Sequence, residues 1–220
     1  MNRTAVLELL RAHLARPVDA NEAEMTADTI RFVEAHGDCF LRSCSTGHLT
    51  GSAWVVDPAR TQVVLTHHRK LDRWLQLGGH ADGDPDLLAV ALREAREEAG
   101  LAHLRPLGVA PFDVDRHRIP ARGTVEEHWH YDLRFLIEAH PAEPLVASDE
   151  SHAVAWVPLC EVERLNPSES MLRMVRKTSA EVGRPAGAPR MATGWTSEIS
   201  ELSLARSRAV ANPPPSFQVP

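Results

Sequence analysis

The sequence is poor in the features that mark a disulfide-stapled, membrane-spanning or nucleic-acid-coating chain. It has only three cysteines, Cys39, Cys44 and Cys160, with no C-x-x-C pair. An odd count without that spacing supports neither a disulfide framework nor a zinc ribbon. The expectation is three small, buried, apolar thiols in a reducing compartment. No apolar run reaches the roughly 18–20 residues that a membrane span needs. Charge interrupts Val6-Leu7-Glu8-Leu9-Leu10-Arg11 too soon for a secretory leader. A cytoplasmic location without a membrane partner is therefore expected. Positive charge is not in excess either: 24 Lys and Arg face 30 Asp and Glu, for a formal net charge of −6. That balance argues against a stable nucleic-acid partner, which a basic stripe would mark. It leaves a small-molecule phosphate substrate open, because a bound cation neutralises charge locally.

What is present is ordinary globular material. Apolar residues make up 43% and charged residues 25% of 220, enough for one good-sized domain with its own core and a small appendage. Val6, Leu9, Leu10 and Leu14 recur at helical spacing until Pro17. A second helix is expected over about 21–36, with Met25, Ile30 and Val33 as its apolar contacts and Gly37 as its stop. From Leu49 the pattern changes to short β-branched runs. Ser52–Val56 and Gln62–Thr66, joined through Asp57-Pro58, read as a hairpin. Further strands are expected near 106–114, 129–138 and 153–157, where Tyr131, Leu133, Phe135 and Ile137 alternate with more polar neighbours as in a half-buried strand. Helices are expected at 85–99, 160–165 and 168–179. Antiparallel-looking strand pairs with helices between them indicate a mixed α/β sandwich. The last forty residues carry six prolines and three glycines. They read as a largely disordered tail with one helix conceivable at 197–210.

The chemistry is concentrated in one segment, Gly78-Gly79-His80-Ala81-Asp82-Gly83-Asp84-Pro85 followed by the run from Asp86 to Leu101. Asp84 suits an N-cap and Pro85 a first helical position. Leu88, Ala91, Leu92, Ala95 and Ala99 form one apolar stripe, and Gly100 ends the helix. Glu94, Glu97 and Glu98 then share one face of its C-terminal half. Three carboxylates there repel one another and sit at the end where the dipole prefers cations. Such a cluster makes sense around a divalent ion of the Mg2+ or Mn2+ type, which takes oxygen ligands and substrate phosphates. Arg93 and Arg96 are placed to offset or orient the acids.

The segment resembles the Nudix box, G-x5-E-x7-R-E-U-x-E-E-x-G-U with U bulky and aliphatic, over Gly79–Leu101. Arg93-Glu94-Ala95-Arg96-Glu97-Glu98-Ala99-Gly100-Leu101 carries the match, and the likeness extends over roughly residues 48–178. One position departs: Pro85 stands where the box has its first glutamate, with Asp82, Asp84 and Asp86 nearby but out of place. The resemblance implies an α/β fold, a three-layer α/β/α sandwich on a mixed sheet. It divides the chain into an N-terminal helical extension (1–47), a Nudix hydrolase domain (48–180) and the tail (181–220). It implies hydrolysis of a diphosphate linkage in a nucleoside diphosphate-X substrate. By position, Glu97 and Glu98 are the metal ligands, the Gly78 carbonyl is a further donor, Glu94 is a ligand or the base, and Arg93 orients Glu94. Nudix enzymes often place a loop acid before the strand corresponding to that of Trp156, which makes Glu150 a second candidate base.

Arg69, Lys70 and Arg73 precede the box and are candidate phosphate contacts, as are His80, His128 and His130. His67, His68 and His117 fall near the same expected cleft, where Trp74 and Trp129 are candidates for stacking on a base. Twelve histidines raise the question of zinc. Without cysteine partners or a helical His-x-x-x-His pair, phosphate contacts or surface positions are favoured over zinc. Two rivals remain. One is a Nudix-fold module that senses a nucleotide without cutting it. The other is an isopentenyl diphosphate isomerase-like enzyme, disfavoured because no cysteine lies in the middle of the region. The N-terminal helices are a candidate homodimer surface.

Overall fold

The computed structural model describes residues 2–16 and 18–182. Pro17 and the tail beyond residue 182, with its conceivable helix at 197–210, lie outside them. In chain order the elements are α1 (Arg3–Leu14), α2 (Ala20–Ala35), β1 (Gly47–Val56), β2 (Gln62–His68), β3 (Arg73–Leu75), β4 (Leu77–His80), α3 (Leu87–Ala99), β5 (Arg105–Pro106), β6 (Asp113–Ile119), β7 (His128–Glu138), β8 (Ser151–Pro158), α4 (Val162–Leu165) and α5 (Glu169–Val182).

One mixed sheet of eight strands organises the molecule. Its spine is the parallel pairing of β1 and β7 over ten residues, from Gly47↔Trp129 to Val56↔Glu138. Antiparallel partners flank it: β4 on β1, β6 and β5 on β7, and β8 and β3 on β2. The expected hairpin is therefore splayed. β1 and β2 meet only at Val56↔Val63, and β2 runs instead along β8. The Asp57 carboxylate still makes the turn by accepting the Thr61 and Gln62 N–H groups.

Alternation along the strands divides two cores. Leu49, Ala53, Val55, Leu133, Phe135 and Ile137 face one way, with Val6 and Leu10 of α1, Phe32 and Val33 of α2, and Val90, Ala91 and Ala95 of α3. Trp54, Val56, Val63, Leu65 and Leu136 face the other, with Met171 and Met174 of α5. Helices thus cover both sheet faces, the expected three-layer arrangement. β7 is not the half-buried strand of the sequence reading: Asp132 and Arg134 are as buried as their apolar neighbours. The N-terminal helices share the first core with the sheet. The inner face of α2 is partly polar (Glu22, Thr26, Thr29), while Met25 and Ile30 are half-buried and Leu14 is exposed.

Boundaries moved for local reasons. The box helix begins at Leu87, and Asp86 rather than Asp84 is its N-cap, accepting from the Ala89 N–H at 3.2 Å. Asp84 instead accepts the Asp86 N–H at 2.9 Å, so Pro85 lies in the turn before the helix. Gly100 caps the far end at φ 70°, a left-handed conformation that glycine adopts without steric cost. Residues 106–114 are not one strand: β5 is two residues long, and β6 starts only at Asp113. Cys39 and Cys44 are buried as expected, whereas Cys160 is exposed.

Candidate active site

The helix α3 lies against β1 and β4, and its acids divide between the sheet and the surface. Ala91, Ala95 and Ala99 pack inward because alanine lets the helix sit close to the strands, which brings the next positions round against β4. Glu98 is buried, and its carboxylate accepts the Gly78 N–H at 2.9 Å. Glu94 lies against Gly79, where a Cβ would stand only 2.4 Å from the Glu94 carboxyl carbon. Gly79 is thus a cradle for that carboxylate, whereas a Cβ at Gly78 would meet Ser52 on the other side of the strand. Glu97 remains outside, its side chain 63% exposed and 4.0 Å from the Arg93 guanidinium. The structure thus brings together two of the three expected acids and leaves the third at the rim.

Arg93 links the helix to the strand. Its guanidinium donates to the His80 carbonyl at 3.1 Å and to the Glu94 carboxylate at 2.9 Å. Burial pushes the Glu98 carboxyl up to about 7 against the pull of the Gly78 N–H, and the charges of Glu94, Glu150 and Glu97 add to the rise. Burial raises Glu94 as well, opposed by Arg93. These are carboxylates that gain from a cation.

Glu150 is exposed immediately before β8, and its carbonyl accepts the Arg69 N–H at 2.9 Å. Its negative charge adds to the rise of Glu98 and opposes the effect of burial on His80 and His68. The Arg69 guanidinium donates to the Ser151 carbonyl at 3.0 Å. The Lys70 N–H donates to His68 Nδ1 at 3.2 Å, and Arg73 opens β3 at the surface. Of the three basic residues, Arg69 alone bonds the Glu150 turn, while Lys70 bonds His68 and Arg73 pairs with His68 from β3. None of the nearby aspartates replaces the acid missing at Pro85. Asp82 accepts a two-pronged bond from Arg42 at 2.5 and 2.6 Å, Asp84 holds the turn, and Asp86 caps the helix. The two candidate stacking rings are already covered: Trp74 stacks on His67 at 5.2 Å, and the Arg116 guanidinium lies 4.5 Å over Trp129.

The sequence reading missed His48. Parallel register sets it beside His130, and ring contacts join it to His80 at 4.9 Å, His128 at 5.0 Å and His130 at 4.7 Å. Its only advance signal was strand alternation at the start of β1; its partners are some thirty to eighty residues away. Also missed was a buried ionic lattice under α5. There Asp113, Asp115 and Asp132 bind the guanidiniums of Arg134 and Arg173, and Lys177 bridges Asp113 to Glu22.

A family model described as the NUDIX domain matches residues 48–178. No curated protein matches the chain. Among solved structures, the chain is similar to an Ap4A hydrolase of C. elegans in a binary complex, at 17% identity and TM-score 0.45 over 60% of this chain and 95% of that one. It is similar to the E. coli dihydroneopterin triphosphate pyrophosphohydrolase, at 14% identity and TM-score 0.48 over 60% and 95%. It is also similar to the NUDIX domain of Shewanella oneidensis NrtR in complex with ADP ribose, at 16% identity and TM-score 0.43 over 61% and 87%.

Proposed function

The chain belongs to the NUDIX family, and from that premise we propose that it is a Mg2+- or Mn2+-dependent hydrolase of a diphosphate linkage in a nucleoside diphosphate-X type of small molecule. The observation that carries this reading is the turning of two α3 carboxylates, Glu94 and Glu98, against the glycine backbone of β4. A buried and a half-buried acid on one helix face are unfavourable unless a cation joins them. The hydrogen-bond partner of Glu98 is a backbone N–H rather than a positive side chain, so its donor chemistry fits a hard divalent ion.

In this reading Glu97 and Glu98, with the Gly78 carbonyl, hold the ion, and Glu94 completes the set or serves as base. The bound ion supplies neutralisation of the diphosphate charge and a more acidic water. The chain's own residues do the remaining work. Arg93 fixes the Glu94 carboxylate in one orientation, so that it can accept a proton from an attacking water at a defined oxygen. Glu150 is the second candidate for that proton, since it is exposed and its charge reaches Glu98. Arg69, at the Glu150 turn, and Lys70 and Arg73, against His68, offer positive charge for phosphate oxygens. The hydrolase domain is taken as 48–180, with α1 and α2 as an extension built into its core.

A panel of nucleoside diphosphate esters, sugar nucleotides, dinucleoside polyphosphates and nucleoside triphosphates, assayed with and without Mg2+ or Mn2+, tests the reading. Metal-dependent release of a monophosphate or diphosphate product from at least one class is expected. Binding of a nucleotide with no product from any class would favour a sensing module instead, a possibility kept alive by Pro85 in place of the box acid.

A further inference from the structure

Outside the α3 carboxylates, the most chemically specific cluster in the described residues is a row of imidazoles across four strands. His80 of β4, His48 of β1, His130 of β7 and His117 of β6 lie side by side. The register sets His48 opposite His130 and His130 opposite His117, and His128 follows two residues before His130 on the same face. Gly79 faces Glu94, so strand alternation turns His80 to the other side of the sheet, away from the helix acids.

The tautomers point to a ligand. His128 Nδ1 lies 2.8 Å from the Glu126 carbonyl, which can only accept, so this nitrogen carries the proton. The His128 Nε2 lone pair then accepts the His130 Nε2–H at 3.3 Å, a bond that an ion bound between the two nitrogens would replace. An Nδ1–H donated to a backbone carbonyl is the arrangement that orients a metal-binding imidazole. Two nitrogens bound at about 2.0–2.1 Å to a tetrahedral ion stand about 3.3 Å apart, the separation seen here. His48 is only 3% exposed, yet neither ring nitrogen has a hydrogen-bond partner. A buried imidazole without a partner is costly. A nitrogen from each of His48, His128 and His130 falls within 4.8 Å of the others.

We propose that His48, His128 and His130 form a binding site for a borderline transition-metal ion such as Zn2+ or Cu2+, separate from the carboxylates of α3, with a fourth position left for His80 or an external ligand. An all-imidazole set favours such ions, whereas Mg2+ requires oxygen. An anion site fits less well. No acceptor hydrogen-bonds either ring nitrogen of the buried His48, so nothing holds that ring in its charged form, and it offers a lone pair rather than positive charge. The proposal does not depend on hydrolysis.

The test is equilibrium dialysis of the full chain against Zn2+, with electron paramagnetic resonance of the Cu2+ form. The unmodified protein is expected to retain about one ion, with nitrogen splitting in the Cu2+ spectrum. His128→Gln, at a partly exposed strand end, and His48→Gln are each expected to weaken retention by more than about tenfold. Glu97→Gln/Glu98→Gln and His67→Gln/His68→Gln are expected to retain the ion as the unmodified chain does. Circular dichroism reports folding, and if His48→Gln unfolds then His128→Gln decides. The proposal is overturned by absence of zinc retention, by undiminished retention in folded His128→Gln, by loss in the glutamate variant, or by a purely oxygen-ligated Cu2+ spectrum.

Discussion

The Glu98 carboxylate accepts the Gly78 N–H at 2.9 Å, and this one bond joins the helix that carries the acids to the strand that precedes the box. It holds a carboxylate in a place where burial disfavours its charge. Stability and activity therefore pull in opposite directions at residue 98.

Glu98→Gln is expected to stabilise the metal-free protein above neutral pH. Burial raises this carboxyl from 4.5 to about 7, so the folded state holds the proton more tightly than the unfolded chain. The group's contribution is best below pH 4.5 and declines as pH rises through 7. A shift of this size corresponds to on the order of 3 kcal/mol. Urea unfolding in a chelator at pH 5 and pH 8 is expected to show the variant's advantage growing by about 1–3 kcal/mol at the higher pH. An advantage that shrinks with pH would contradict the assignment.

Gly79→Ala is expected to damage activity far more than stability. The new methyl meets the flexible end of Glu94, at 2.4 Å from its carboxyl carbon, rather than backbone. The carboxylate then leaves its position beside Arg93. Turnover at saturating substrate is expected to fall by about 100-fold, with a change in Tm of only a few degrees. A loss of Tm matching the loss of turnover would show the cradle to be structural only.

The lattice under α5 is expected to be the most sensitive point for folding. Asp113 accepts from Arg173 at 2.8 and 2.9 Å, from Arg134 at 3.2 Å and from Lys177 at 3.1 Å. Asp113→Asn leaves buried cations under-compensated, at a cost of about 3–5 kcal/mol, or on the order of 10 °C in Tm. Although burial opposes it, those cations depress the Asp113 carboxyl below the ordinary carboxylate range. Its contribution is therefore complete above about pH 4 and is lost as pH falls below that. Wild type is expected to lose stability below pH 4 more steeply than Asp113→Asn, as followed by circular dichroism.

Much of the fold was legible because it is written locally. The α3 stripe, the Gly100 stop and the strand alternation of β7 are each set by residues within one or two turns of one another. The same holds for Arg93 beside Glu94. The parallel pairing of β1 with β7 was not legible, because it joins residues eighty positions apart and depends on both sheet faces being covered. That burial also explains why Asp132 and Arg134 were read as outward-facing: their partners Asp113 and Asp115 lie on another strand. His48 was overlooked for the same reason, since its neighbours are assembled only by sheet register. The helix start was misjudged by competition between two aspartates, and Asp86 won the cap because Asp84 is held in the preceding turn.

The most direct measurement is Mg2+-dependent product release from the diphosphate panel by the wild-type chain and by Glu97→Gln/Glu98→Gln, both checked for folding. The account predicts turnover in the former and none above background in the latter, with the variant at least as stable in the absence of metal. Equal metal-dependent turnover by the two proteins would contradict it.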